Sequence, residues 1–115
     1  MKVVARNPKD EARETPPVEV LVDTGSELSW LPAAALHAAG IEPRYRGLFH
    51  TATLDTVVRD VGYAILRVGE FETNDEVVFA EPGDMQLLGV RTIEGFGVVV
   101  DPIGQCFIRR PRLVA

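Results

Sequence analysis

Val18-Glu19-Val20-Leu21-Val22-Asp23-Thr24-Gly25-Ser26 is the stretch on which the reading of this chain turns. Its first five residues form a valine-rich run of the kind that fits a pleated, half-buried strand. The next four are turn formers, with Asp and Thr side chains able to bond their own backbone and Gly able to take positive φ. A strand that ends this way carries Asp23 out of the core on a rigid support rather than on a free loop. The triplet Asp23-Thr24-Gly25 is common enough by composition to be only a strand-end turn, so its surroundings have to decide.

Outward from this stretch, Trp30-Leu31 resumes the apolar pattern, and Pro32 followed by Ala33 to Ala39 predicts a short helix stopped at Gly40. On the N-terminal side, residues 6–17 are polar and hold Pro8, Pro16 and Pro17; they read as a loop, with Lys2 to Ala5 a short strand before it. Arg46 to His50 and Val57 to Val68 read as the arms of a hairpin, with Val61, Tyr63 and Ile65 forming one apolar face. Glu70 to Asp75 reads as a polar turn and Glu76 to Ala80 as a strand. Leu87-Leu88-Gly89 is followed by room for about two helical turns from Val90 to Gly95. Gly97 to Val100 and Gln105 to Arg109 flank Asp101-Pro102-Ile103-Gly104, a strand-turn-strand signature. Many short strands with regular turn signals and one or two short helices predict an all-β, barrel-like fold. The expected organisation is a single domain over residues 1–115, with residues 1–17 as a loose N-terminal arm.

Composition narrows the function classes. The chain has 115 residues, enough for one core, and its 46% apolar and 25% charged content is that of a globular protein. Acids outnumber bases 17 to 12, for a net charge of −5. Phosphate binding needs a clustered basic excess, so nucleic acid is not the expected partner; Arg109, Arg110 and Arg112 read as a solvated terminal strand. No apolar run is long enough to span a bilayer and no secretory signal is evident, so the expectation is a cytoplasmic protein without a membrane partner. Cys106, alone in a strand-like run, reads as a buried inert thiol, and His37 and His50 lack partners at ligand spacing, so no metal is expected.

The wider pattern gives the triplet its meaning. Asp23-Thr24-Gly25-Ser26 with Trp30 and Pro32 resembles the pepsin-like first active-site segment, including its Trp-x-Pro. Leu87-Leu88-Gly89 supplies the apolar-apolar-glycine element that in the aspartic peptidase superfamily crosses beneath the catalytic carboxylate. The chain length and single motif resemble the retroviral-type (retropepsin-like) single-lobe peptidases. The run from Glu81-Pro82-Gly83-Asp84 to Val100-Asp101-Pro102 is similar to their small bacterial and archaeal members. The resemblance covers about residues 18 to 103 and implies a small closed β-barrel of the acid-protease type, one lobe per chain.

It also implies an aspartic endopeptidase that needs a homodimer, a peptide or protein substrate and no cofactor. Two carboxylates sharing a site cannot comfortably both ionise, so one keeps a proton and the base and acid roles separate; aspartic peptidases are themselves the standard instance of this effect. Asp55 precedes Thr56-Val57 and Asp101 precedes Pro102-Ile103, so neither repeats the motif, and a two-fold dimer would supply the second Asp23. By resemblance, Thr24 hydrogen-bonds across the dimer axis, Gly25 allows close approach, and Leu87, Leu88 and Gly89 support the site. Ser26 is expected to donate to the Asp23 carboxylate. Glu27 stands where retroviral enzymes hold an acid paired to an arginine just after the glycine; here that residue is Val90 and the arginine is Arg91, one residue and about 100° of helix away. The hairpin would be the flap, with tip Thr51-Ala52-Thr53-Leu54-Asp55 lacking the usual glycines and with Leu54 or Phe49 facing substrate; an ordinary surface hairpin is the alternative. Trp30 is assigned to packing. A catalytically inactive peptide-binding or dimerisation module on the same fold stays open beside the enzyme, as does an unrelated small barrel with an accidental triplet.

Overall fold

The computed structural model describes residues 1–111; Arg112, part of the expected basic terminal strand, lies outside them. The strands are β1 (Lys2–Asn7), β2 (Asp10–Glu14), β3 (Val18–Glu19), β4 (Leu21–Asp23), β5 (Ser29–Pro32), β6 (Tyr45–His50), β7 (Thr56–Val68), β8 (Phe71–Ala80), β9 (Leu87–Gly89), β10 (Val98–Asp101) and β11 (Cys106–Arg109). Two short helices, α1 (Ala33–Ala38) and α2 (Val90–Gly95), interrupt them.

Nine strands form one sheet with the order β2-β1-β7-β8-β5-β9-β4 along its main path. β3 pairs with β1 and β4 pairs with β9, and the two are consecutive pieces of one extended segment, residues 18–23. That segment bridges β1, next to one end of the path, and β9, next to the other, which gives the all-β sheet its barrel-like course. Val20, between the two pieces, is buried and its amide donates to the Met1 carbonyl at 2.8 Å. Leu31, Leu36, Leu66 and Leu88 are fully buried in the core, each contributing about 1.5–3 kcal/mol relative to exposure. Helix α1 follows from its alanines, with Pro32 ahead of it at φ −55° and Gly40 ending it at φ +75°. Among the described residues no helix is long and apolar enough to cross a membrane.

Three expectations of local structure are corrected. Residues 10–14 are a strand rather than part of a loose arm. The strand is exposed along its whole length, so no apolar alternation marks it; buried Thr15 ties its end down, accepting from the Ala5 amide through Oγ1 and donating its own amide to the Ala5 carbonyl. Residues 71–75 extend β8 instead of forming a turn, in register with β7 from Val68↔Phe71 to Ala64↔Asp75. Glu72 and Asn74 are the exposed positions there, while Asp75 turns inward to a polar partner, and the turn itself is only Gly69-Glu70. On β7 the buried residues after Gly62 are Ala64 and Leu66, while Tyr63 is exposed. Val61 belongs to a second cluster with Leu28 and Val78, so β7 serves two packed layers and its pattern changes face between Val61 and Ala64.

Cys106, expected in the core, is exposed. Strands β10 and β11 form a separate two-stranded sheet that packs on one side only, through Val98, Val100 and Phe107, and Cys106 points the other way.

Candidate active site

Asp23 ends β4, and β9 runs beside it in parallel register: Leu21↔Leu87, Val22↔Leu88, Asp23↔Gly89. On its other side β9 meets β5 in antiparallel fashion at Trp30↔Leu87. The loop 24–28 thus leaves β4, passes over β9 and returns as β5. Leu88 is fully buried beneath it, whereas Leu87 is half-exposed.

Close approach explains why glycine stands at 89. A side chain there would collide with the Leu28 carbonyl and sit 3.0 Å from the Glu27 carbonyl oxygen. With no side chain in the way, three consecutive amides from residue 89 onward bond the loop and the first residue of β5. Gly89 donates to Ser29 Oγ at 2.9 Å, Val90 to the Ser26 carbonyl at 2.8 Å, and Arg91 to the Glu27 carbonyl at 3.1 Å.

Asp23 itself is half-buried, with Thr24 and Gly25 exposed beside it. Its Oδ1 accepts the Gly25 amide at 2.9 Å, and its carbonyl accepts the Ser26 amide at 3.1 Å. A Cβ on Gly25 would lie 3.2 Å from that same Oδ1. Ser26 does not serve the carboxylate: its Oγ donates to the Leu28 carbonyl at 2.7 Å, because the loop leaves that carbonyl within reach and in need of a donor. The carboxylate is therefore oriented by backbone.

Behind the loop lies a polar chain that the residue pattern did not reveal. Ser29 Oγ and Thr92 Oγ1 are 2.6 Å apart, and Thr92 Oγ1 donates to Asp75 Oδ2 at 2.9 Å. Ser29 and Thr92 are fully buried, and the Asp75 side chain is 6% exposed. Polar residues on the inward faces of β5 and α2 were the available signal. Arg91 gathers the acids nearby, at 3.0 Å from Glu76, 3.7 Å from Asp75 and 4.0 Å from Glu27. The one-residue offset thus leaves Glu27 as the most distant of its three partners. Glu76 in turn accepts from the Tyr45 hydroxyl at 2.8 Å; burial, then that bond, push the Tyr45 phenol up to about 12.

The hairpin of β6 and β7 pairs from Tyr45↔Val61 to His50↔Thr56, and Thr51, Ala52, Thr53, Leu54 and Asp55 form its tip. The tip closes by the Thr51 amide on the Asp55 carbonyl at 2.9 Å, with Thr53 Oγ1 donating to Asp55 Oδ2 at 3.0 Å. Where a glycine would be easy, Leu54 holds φ 66° with its side chain exposed. Phe49 packs edge-on against Trp30 with ring centroids 5.2 Å apart, so Trp30 is a half-buried link between hairpin and crossing strand. Arg59 forks onto Asp84 at 2.7 and 2.9 Å, pinning the second arm to the 81–84 turn. That fork holds the Asp84 carboxyl below its usual range. Among the described residues no group of three His, Cys, Asp or Glu side chains could hold a metal.

A small, mostly β domain, with an Asp-Thr-Gly turn set beside a crossing apolar-apolar-glycine strand, is the arrangement of the single-lobe acid-protease class. The aspartyl protease family model matches residues 12–92, and the chain belongs to that family. Among solved structures, a foamy viral protease-reverse transcriptase bound to double-stranded DNA matches at TM-score 0.56 and 18% identity, over 81% of this chain and 14% of that one. This likeness shows a shared retropepsin-like fold, and this chain spans about a seventh of that larger protein. A comparison with curated proteins gives no significant match.

Proposed function

We propose that this chain is one half of a homodimeric aspartic endopeptidase in which Asp23 and its symmetry mate share one proton. The observation that supports the reading is Asp23 itself: a half-exposed carboxylate, oriented by the Gly25 amide, at the end of a strand braced by Gly89. In a dyad, the ionised carboxylate takes a proton from water as the oxygen attacks the peptide carbonyl. The protonated one gives its proton to the carbonyl oxygen, and the pair titrates as a unit. Thr24, exposed beside Asp23, would bond the partner loop below the dyad, and Gly25 leaves room for it.

The substrate would lie extended in the cleft between subunits, held by main-chain hydrogen bonds, with the 51–55 tip closing over it. Exposed Leu48, Leu54 and Val58 on the hairpin favour apolar side chains around the scissile bond. A non-catalytic peptide-binding module is the second reading, supported by the glycine-free tip with Leu54 at φ 66°.

Digestion of denatured protein from about pH 3 to pH 7 separates the two. The enzyme reading expects cleavage in acid that is absent in Asp23→Asn and blocked by a statine-type transition-state mimic. A folded, dimeric wild type that cleaves nothing at any pH would leave the binding module.

A further inference from the structure

We propose that Asp75, Thr92 and Ser29 form a positioning relay that holds the Asp23 loop in its working geometry; the inference rests on the peptidase reading above. The hydrogen-bond directions are fixed by chemistry. The Asp75 carboxylate can only accept, so Thr92 Oγ1 donates to it. The Thr92 proton is then committed, so in the 2.6 Å contact Ser29 is the donor. Ser29 Oγ in turn accepts the Gly89 amide. The result is one directed chain, Gly89 N–H to Ser29 to Thr92 to Asp75, with each bond polarising the next.

Its position gives it a role. Gly89 is the residue in register with Asp23, and the two amides after it bond the carbonyls of Ser26 and Glu27. Whatever fixes the crossing strand therefore fixes the loop that carries the carboxylate. Asp75 is set in β8 and takes the Glu76 amide at 2.8 Å on its other oxygen, so the far end of the chain is anchored in the sheet. None of the three side chains touches the site directly; they are positioning residues. Displacing a catalytic group by about 1 Å can cost about a hundredfold in rate, so a short relay of this kind has leverage on turnover.

The test uses the dimeric protein with Thr92→Val, which keeps the shape and removes the hydroxyl, and Thr92→Ser, which restores it. Ser29→Ala is the second variant in case Thr92→Val does not fold. Folded fraction and dimer content are matched by thermal melts and sedimentation before kinetics. The expected result for Thr92→Val, or for Ser29→Ala in its place, is a fall in kcat of about tenfold or more with KM within about twofold, recovered in Thr92→Ser. Faster amide exchange at Val90 and Arg91 in the same variant is expected with it, and that readout does not depend on cleavage. Unchanged kcat in a folded variant, or equal losses in Thr92→Val and Thr92→Ser, would overturn the relay. If the wild type cleaves nothing, the peptidase reading fails separately. Exchange at Val90 and Arg91 then decides whether the relay holds the loop, with unchanged protection overturning it.

Discussion

Gly89 stands opposite Asp23 across a pair of parallel strands, with the Leu28 carbonyl packed where a side chain at 89 would begin. A methyl group there has to push the loop that carries the carboxylate. Gly89→Ala is therefore expected to destabilise the fold by about 1–3 kcal/mol and to abolish cleavage even in the folded fraction. Urea unfolding alongside an activity assay at matched folded fraction checks both effects.

Ser26 donates its hydroxyl to the Leu28 carbonyl and not to Asp23. Ser26→Ala should accordingly lower stability by about 1 kcal/mol and leave the acid limb of the pH–rate profile in place. A profile displaced by a full pH unit would mean that the hydroxyl serves the carboxylate after all.

The Arg59–Asp84 fork makes stability pH-dependent. Arg59 lowers the Asp84 pKa in the folded state, so over the acid range the unfolded chain binds the extra proton and stability rises with pH. The contribution is complete above the ordinary carboxylate range and is lost as pH falls through the folded value. Asp84→Asn is expected to cost about 1–2 kcal/mol near neutrality, with the gap to wild type shrinking towards about pH 3. Urea midpoints across that range give the gap directly.

Phe49 meets Trp30 edge-on close to the tip of the hairpin. Phe49→Ala removes most of that contact and should cost about 2–4 kcal/mol, softened by its partial exposure. If the hairpin closes over substrate, the same variant raises KM for peptides more than it lowers kcat. Hydrogen exchange along Tyr45–His50 would report the loosening independently.

The proposed dyad, drawn from two chains, would make activity depend on concentration. Specific activity should rise with protein concentration in step with the dimer fraction seen by sedimentation, and a transition-state mimic should shift that curve to lower concentration. Full specific activity from a strictly monomeric species would remove the shared-site reading.

The residues that make up Asp23-Thr24-Gly25 and Leu87-Leu88-Gly89 were legible because each motif is local: a valine-rich run, a turn cluster, an apolar pair before glycine. The hairpin, both helices and the β10–β11 pair were legible for the same reason. β2 was not, since a strand exposed all along carries no alternation. The first half of β8 reads as a turn because its inward positions include polar Thr73 and Asp75, so no apolar alternation marks the strand.

The sequence by itself determined the catalytic candidate, through its resemblance to the aspartic peptidases, and the all-β class with most of its elements, through short-range patterning of apolar and turn-forming residues. Only the tertiary structure decided that Cys106 faces solvent and which groups meet across long separations: Ser29 with Thr92, Thr92 with Asp75, Arg59 with Asp84. No periodicity encodes such pairings. They arise where the folding sheet brings polar groups out of water together, and each must then find a partner or raise the cost of folding.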